Sequence, residues 1–222
     1  MLIGGLIVAT FGALCLVIGL VRLVPNLGGS WHLHEHGVRL VRRGGERVIL
    51  YKNVEELTLK VVRVFFHGVC TGEVHDATFK SHGPANKVFI KQVRRPSTTG
   101  GTDLDRPGEL AQACDMVTGL IASRMGARLA RGEPIPWIKA MCIHPDGLEV
   151  ESPAIHGRIH WGQIDSVGMD DGQFQLRRRG DSQPALKVPT HLPNFFPGYQ
   201  LILDRLKANT TSAETTRDVR GG

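Results

Sequence analysis

Ten histidines invite a metal reading, and three of them, His32, His34 and His36, alternate along one short stretch. On an extended strand that spacing puts all three imidazoles on one face, where they could ligate Zn²⁺ or Cu²⁺. No carboxylate or cysteine at ligand spacing completes a tetrahedral set, so no metal is expected. The four cysteines, Cys15, Cys70, Cys114 and Cys142, form no CxxC and do not pair by spacing; reduced, packed thiols are expected. Asp170-Asp171 precedes Gly172 and reads as a hairpin turn rather than an acid/base couple. No nucleophile elbow, zinc-protease helix, P-loop or dinucleotide loop is present, so neither catalytic residues nor a cofactor is predicted. The remaining chemistry is cationic. Arg42, Arg43 and Arg47 bracket the turn Gly44-Gly45, and Arg177, Arg178 and Arg179 precede Gly180-Asp181. Arginine-tipped hairpins could touch anionic lipid headgroups, each basic group adding about 1 kcal/mol near such a surface. Glu46 and Asp181 lie alongside and dilute this charge. The formal net charge of +6 is spread out, with no aromatic–basic module for nucleic acid.

The elements that must carry these residues fall into two materials. Leu2–Val21 is a run without charge, closed by Arg22 and Pro25. At about 1.5 Å per residue it spans about 30 Å, the thickness of a hydrocarbon core. It lacks the basic leader and small-residue cleavage site of a signal peptide. A transmembrane helix over residues 1–25 is therefore expected. Arg22, Arg39, Arg42, Arg43 and Arg47 follow it, which places the bulk of a single-pass cell-membrane protein in the cytoplasm. Gly5, Ala9, Gly12 and Gly19 offer a small-residue face for a homodimer.

From Trp31 onward, short apolar alternations are broken by Gly, Asn and Asp, as in strands and hairpins. They repeat. Leu33-His34 falls on Ile143-His144, Gly37 on Gly147, Ile49 on Ile159, Tyr51 on Trp161, Val54 on Ile164 and Leu57 on Val167, without a gap. In each copy the glycine is expected to supply a positive φ in a turn. Further strands are read at 73–80 and 87–93, then at 173–178 and 185–188. Each copy ends in an amphipathic helix. The first carries Leu110, Cys114, Val117, Ile121, Met125 and Leu129, with Asp105 as N-cap and Gly132 past its end. The second carries Phe195, Tyr199, Ile202 and Leu206, with Asn194 as cap and Pro197 in the first turn. A bent antiparallel sheet closed by one helix is the plan of a pleckstrin-homology-like (PH-like) domain. The expected class is thus α+β: a transmembrane helix, then tandem PH-like units at 31–132 and 137–208. A polar tail at 209–222 is expected to be disordered, and the segment from Arg94 to Gly108 to be a mobile loop.

Gly132-Glu133-Pro134, Asp146-Gly147-Leu148, Trp161 with Ile164, and Val188-Pro189 with Leu192-Pro193-Asn194 stand in a particular order. In this the chain resembles an uncharacterised family of bacterial membrane proteins with PH-like repeats. The match covers residues 129–206 and is thinner over the first copy, where Tyr51 stands at the family's tryptophan. The resemblance implies a fold and a membrane setting, and no activity. The function expected is non-catalytic recruitment or sensing of a protein partner at the membrane, with headgroup recognition by the six arginines as the alternative.

Overall fold

The computed structural model describes residues 30–42, 45–66, 69–82, 86–94, 108–139, 141–152 and 155–218. The chain forms β1 (Ser30–His34), β2 (Gly37–Arg42) and β3 (Gly45–Leu50), then a 3₁₀ turn at Tyr51–Asn53. Next come β4 (Val54–Phe66), β5 (Val69–Ser81), β6 (Lys87–Arg94) and helix α1 (Glu109–Ala130). The plan then recurs. β7 (Ile135–Ile138), β8 (Met141–His144), β9 (Gly147–Glu151) and β10 (His156–His160) precede a 3₁₀ turn at Trp161–Gln163. β11 (Ile164–Asp170), β12 (Gln173–Arg178), β13 (Leu186–Pro189) and helix α2 (Phe195–Asp218) complete it. All four sheets are antiparallel meanders, ordered β1-β2-β3, β4-β5-β6, β10-β9-β8-β7 and β11-β12-β13.

The expected membrane architecture is corrected. Among the described residues no helix is long and apolar enough to cross a membrane. The reason is in the helices themselves: α1 includes Glu109, Asp115, Arg124 and Arg128, and α2 includes Asp204, Arg205 and Lys207. Residues 1–25, with the proposed dimer face of Gly5, Ala9, Gly12 and Gly19, lie outside the described residues. The single-pass, cell-membrane placement falls with the span. What stands is an α+β mix of small antiparallel sheets and two helices.

The two copies share a hydrogen-bonded joint. Tyr51 N–H donates to the His36 carbonyl at 2.9 Å, and Trp161 N–H to the Asp146 carbonyl at 3.1 Å. Each ties the aromatic residue that opens a 3₁₀ turn back to the preceding hairpin. Gly37 and Gly147 sit beside this joint, but neither has a positive φ, contrary to expectation. Their requirement is steric: an added Cβ at Gly37 would lie 2.5 Å from the Ile49 carbonyl oxygen, and one at Gly147 would run into that of Ile159. The positive φ values fall elsewhere. Asp171 (45°) and Gly172 (68°) together make the tight β11–β12 turn.

One apolar core runs through both copies, from Val38, Leu57, Phe79 and Ile90 to Ile143, Leu148, Phe174 and Ile202. Leu110, Cys114, Val117, Ile121, Met125 and Leu129 form the buried stripe of α1. This helix starts after Gly108, which provides no side-chain cap; Asp105 lies outside the described residues. Arg124 on α1 donates to the carbonyls of Lys52 and Val54, fixing the helix over the first 3₁₀ turn. A Cβ added at Gly126 of α1 would lie 3.6 Å from the Leu201 side chain of α2, so the glycine faces the second helix. Helix α2 continues to Asp218, so residues 209–218 are helical rather than a disordered tail. No glycine or proline follows Gly198 until Gly221, and nothing in the intervening sequence stops propagation.

Asn194 departs from its expected role. It takes a left-handed φ of 54° rather than the extended backbone of an N-cap. Its side chain leaves α2 and crosses to the first copy, accepting from Leu57 N–H and donating to the Glu55 carbonyl, both at 2.9 Å. Its own N–H donates to the Leu57 carbonyl at 2.7 Å. Asn194 therefore closes the start of the β4 edge as a strand would. Behind it, the Trp137 indole N–H donates to the carbonyls of Asn194 and Phe195 at 2.9 and 3.0 Å. The Trp137 ring packs on Phe174 and Phe195 at centroid distances of 5.5 and 5.4 Å.

Candidate interaction surface

The copies differ most in their second sheets. β4 and β5 have 13 residues each and β6 has 8. Their counterparts β11, β12 and β13 have 7, 6 and 4. Register shows what the extra length does. On the inner face, rows across β4, β5 and β6 read Leu57/Phe79/Val88, then Leu59/Ala77/Ile90, then Val61/His75/Gln92, then Arg63/Glu73/Arg94. The first two rows pack on the core, and the last two are increasingly polar. The sheet thus outruns the core that supports it.

Past that point, apolar side chains meet water. Val61, Val62, Val64 and Phe65 are exposed, Phe65 at 61%. The outer face reads Glu56/Lys80/Lys87, Thr58/Thr78/Phe89, Lys60/Asp76/Lys91 and Val62/Val74/Val93. Phe89 and Val93 stand out on it, 51% and 58% exposed. Val62, Val74 and Val93 share one outer row with Val64 next along β4, and clustered apolar surface of this kind marks an interaction site more often than isolated exposed residues do.

The inner polar end has its own electrostatics. Glu73 accepts from Arg63 and from His75, each at 3.1 Å, and Arg94 lies 3.8 Å away. Burial alone would raise the Glu73 carboxyl, but the His75 and Arg63 hydrogen bonds outweigh it and hold the group below the usual carboxylate range. A depressed carboxylate stabilises the fold above its unfolded pKa, and that stability is lost as pH falls through the folded value. Urea midpoints of the native chain should therefore drop through the acid range. In Glu73→Gln that acid limb should be shallower, and an unchanged slope would remove Glu73 as a contributor.

A second apolar feature is a groove of about 470 Å³ lined by Leu50, Tyr51, Met116 and Leu120 together with Glu35, His36 and Lys52. It lies between the end of β3 and the outer side of α1.

The arginines predicted from sequence are not gathered by what is described. Arg43 and the side chain of Arg42 lie outside the description; Arg47 is exposed on β3. Arg177, Arg178 and Arg179 are exposed, and Arg178 is paired with Asp181 at 2.9 Å. His32 contacts Ser30 at 3.1 Å, and His36 lies 4.0 Å from Glu35. Among the described residues no group of histidines, cysteines and carboxylates could hold a metal ion. Cys114 is buried on α1, and burial pushes its thiol up to about 12.

Nothing in the comparisons decides a family. No family model, curated protein or solved structure matches the chain. The residues that carry the likeness noted in the sequence have structural places. Gly132, at φ 84°, ends α1, and Glu133 accepts from Arg128 and Arg131 at 3.0 and 2.8 Å. The Trp161 indole N–H donates to the Pro145 carbonyl at 2.9 Å.

Phe89, Val93, Val62 and Val64 went unmarked in the sequence as surface residues. The available signal was the run Val61-Val62 followed by Val64-Phe65, which breaks the alternation expected of a half-buried strand.

Proposed function

We propose that the chain is a non-catalytic recruiting module that holds a protein partner on the long second sheet of its first copy. The supporting observation is the apolar surface of β4 beyond the core, where Val61, Val62, Val64 and Phe65 are exposed. The shorter β11–β12–β13 sheet offers no comparable extension. The Asn194 bridge supports the same role, because it braces the base of β4 from a distant part of the chain.

The test is site-specific photocrosslinking of the full chain in its own cells. A photoreactive residue at Val64 should give a discrete protein adduct. The adduct should vanish when Val62→Asp is added, and the same probe at the exposed Glu151 of β9 should not form it. An absence of adducts at Val64, or the same adducts at both positions, would remove the proposal.

A further inference from the structure

The exposed edge of the long sheet narrows what kind of segment such a partner would present. In the order β4-β5-β6, β6 pairs with β5 alone. The opposite edge, at the start of β4, is already engaged by Asn194. Among the described residues no strand pairs with the second edge of β6. A strand edge of this kind displays unpaired N–H and C=O groups, ready to take one more strand.

The side chains along that edge have a definite pattern. Val88 and Ile90 point inward and are buried, which holds the strand firmly on the core. Lys87, Phe89, Lys91 and Val93 alternate on the outer face, and all four are exposed. The neighbouring outer-face charges are also mostly positive. Lys80 is held by Glu56 at 3.1 Å. Asp76 sits between Lys60 and Lys91 in its row. Among the described residues, Lys60, Lys87 and Lys91 form no ion pair.

We propose that the outer edge of β6 from Lys87 to Val93 takes an extended acidic–apolar peptide segment of a partner protein as a fourth strand. The proposal rests on the recruiting role above and specifies its ligand. Directly opposed residues on an antiparallel pair interact through their side chains, and like charges there are unfavourable. A strand added beside Lys87, Phe89, Lys91 and Val93 therefore fits best with carboxylates and apolar groups alternating on its outer face. Main-chain hydrogen bonds supply affinity, and the lysines select against basic segments.

The experiment uses the full chain, isotope-labelled for NMR, and two synthetic probes. One is the capped peptide Thr-Glu-Thr-Val-Thr-Glu-Thr-Val-Thr, and the other has lysine in place of each glutamate. The glutamate peptide should shift the amides of Phe89, Lys91 and Val93 and protect them from exchange. It should bind about tenfold more tightly than the lysine peptide, as two exposed charge pairs would give. In the double variant Lys87→Glu with Lys91→Glu the preference should invert. In the milder Lys87→Gln with Lys91→Gln, which keeps the side-chain length and guards against misfolding, it should disappear. Silent β6 amides, shifts confined to the Leu50–Met116–Leu120 groove, or a preference indifferent to both variants would each overturn the proposal. Photocrosslinks at Val64 that persist while β6 stays silent would leave the recruiting role in place and remove only this edge.

Discussion

Replacing Asn194 by alanine is expected to lower the stability of the chain by about 3 kcal/mol, read from urea unfolding. Two effects combine. The amide of Asn194 serves Leu57 N–H and the Glu55 carbonyl, each at 2.9 Å, and truncation leaves both without that partner. Losing the partly buried bond from Leu57 N–H and the more exposed one to the Glu55 carbonyl costs about 1 kcal/mol each. Alanine must then hold the left-handed φ of 54°, which asparagine tolerates and alanine resists by about 1 kcal/mol. Asn194→Gly separates the two effects, since glycine removes the strain but still lacks both side-chain hydrogen bonds. It should fall between wild type and alanine, with a loss of about 2 kcal/mol. Asn194→Asp keeps the acceptor for Leu57 and sets a carboxylate against the Glu55 carbonyl, so it should be no better than glycine. Hydrogen exchange gives an independent readout: the Leu57 amide should lose protection in the alanine and glycine variants and keep it in the aspartate variant, which retains the acceptor. If Leu57 stays protected in the alanine variant, its amide has another partner and the bridge is not what closes this edge.

Asn194 also shows where sequence reasoning stops. An asparagine one residue before an apolar helical run is a good N-cap signal, because capping uses groups a few residues away. Here the same side chain satisfies backbone groups 137 and 139 residues distant. No local pattern encodes that choice. The buried stripe of α1 was readable, because its six apolar positions recur at helical spacing and all six are buried. The duplication was readable for the same kind of reason, since turn and core residues recur in one register from Leu33 to Leu59. The exposed surface was not. Alternation identifies a strand with two unlike faces, but it does not tell how far the supporting core extends beneath it. Val61 continues the inner-face series of Leu57 and Leu59, yet it is exposed because the core ends before it. The membrane span was read from the length and flanks of one uncharged run, which lies outside the described residues, and among the described residues no helix is long and apolar enough to supply one.

The same limit applies to the paired glycines, and it gives the second large effect. A turn glycine read from sequence suggests a positive φ, for which substitution by alanine costs about 1 kcal/mol. At Gly147 the constraint is of another kind. An alanine Cβ there would meet the Ile159 carbonyl oxygen head-on and lie 2.9 Å from the His160 Cα. Both atoms belong to β10, held in register with β9 from His156↔Glu151 to His160↔Gly147. Moving them means breaking that ladder, or the Trp161 N–H bond to the Asp146 carbonyl beside it. Gly147→Ala should therefore cost about 3 kcal/mol, the upper range for overpacking, and lower the melting temperature by about 9 °C. Gly37→Ala should follow it in the first copy with a smaller loss, since its contact with the Ile49 oxygen is longer at 2.5 Å. Gly180 supplies the contrast. Its φ is 86° but its would-be Cβ meets nothing within 4 Å, so Gly180→Ala should show only the conformational cost of about 1 kcal/mol. The order Gly147, Gly37, Gly180 in thermal melts separates close approach from backbone handedness. If Gly147→Ala melts no lower than Gly180→Ala, β10 yields easily, and the joint shared by the two copies is looser than its hydrogen bonds imply.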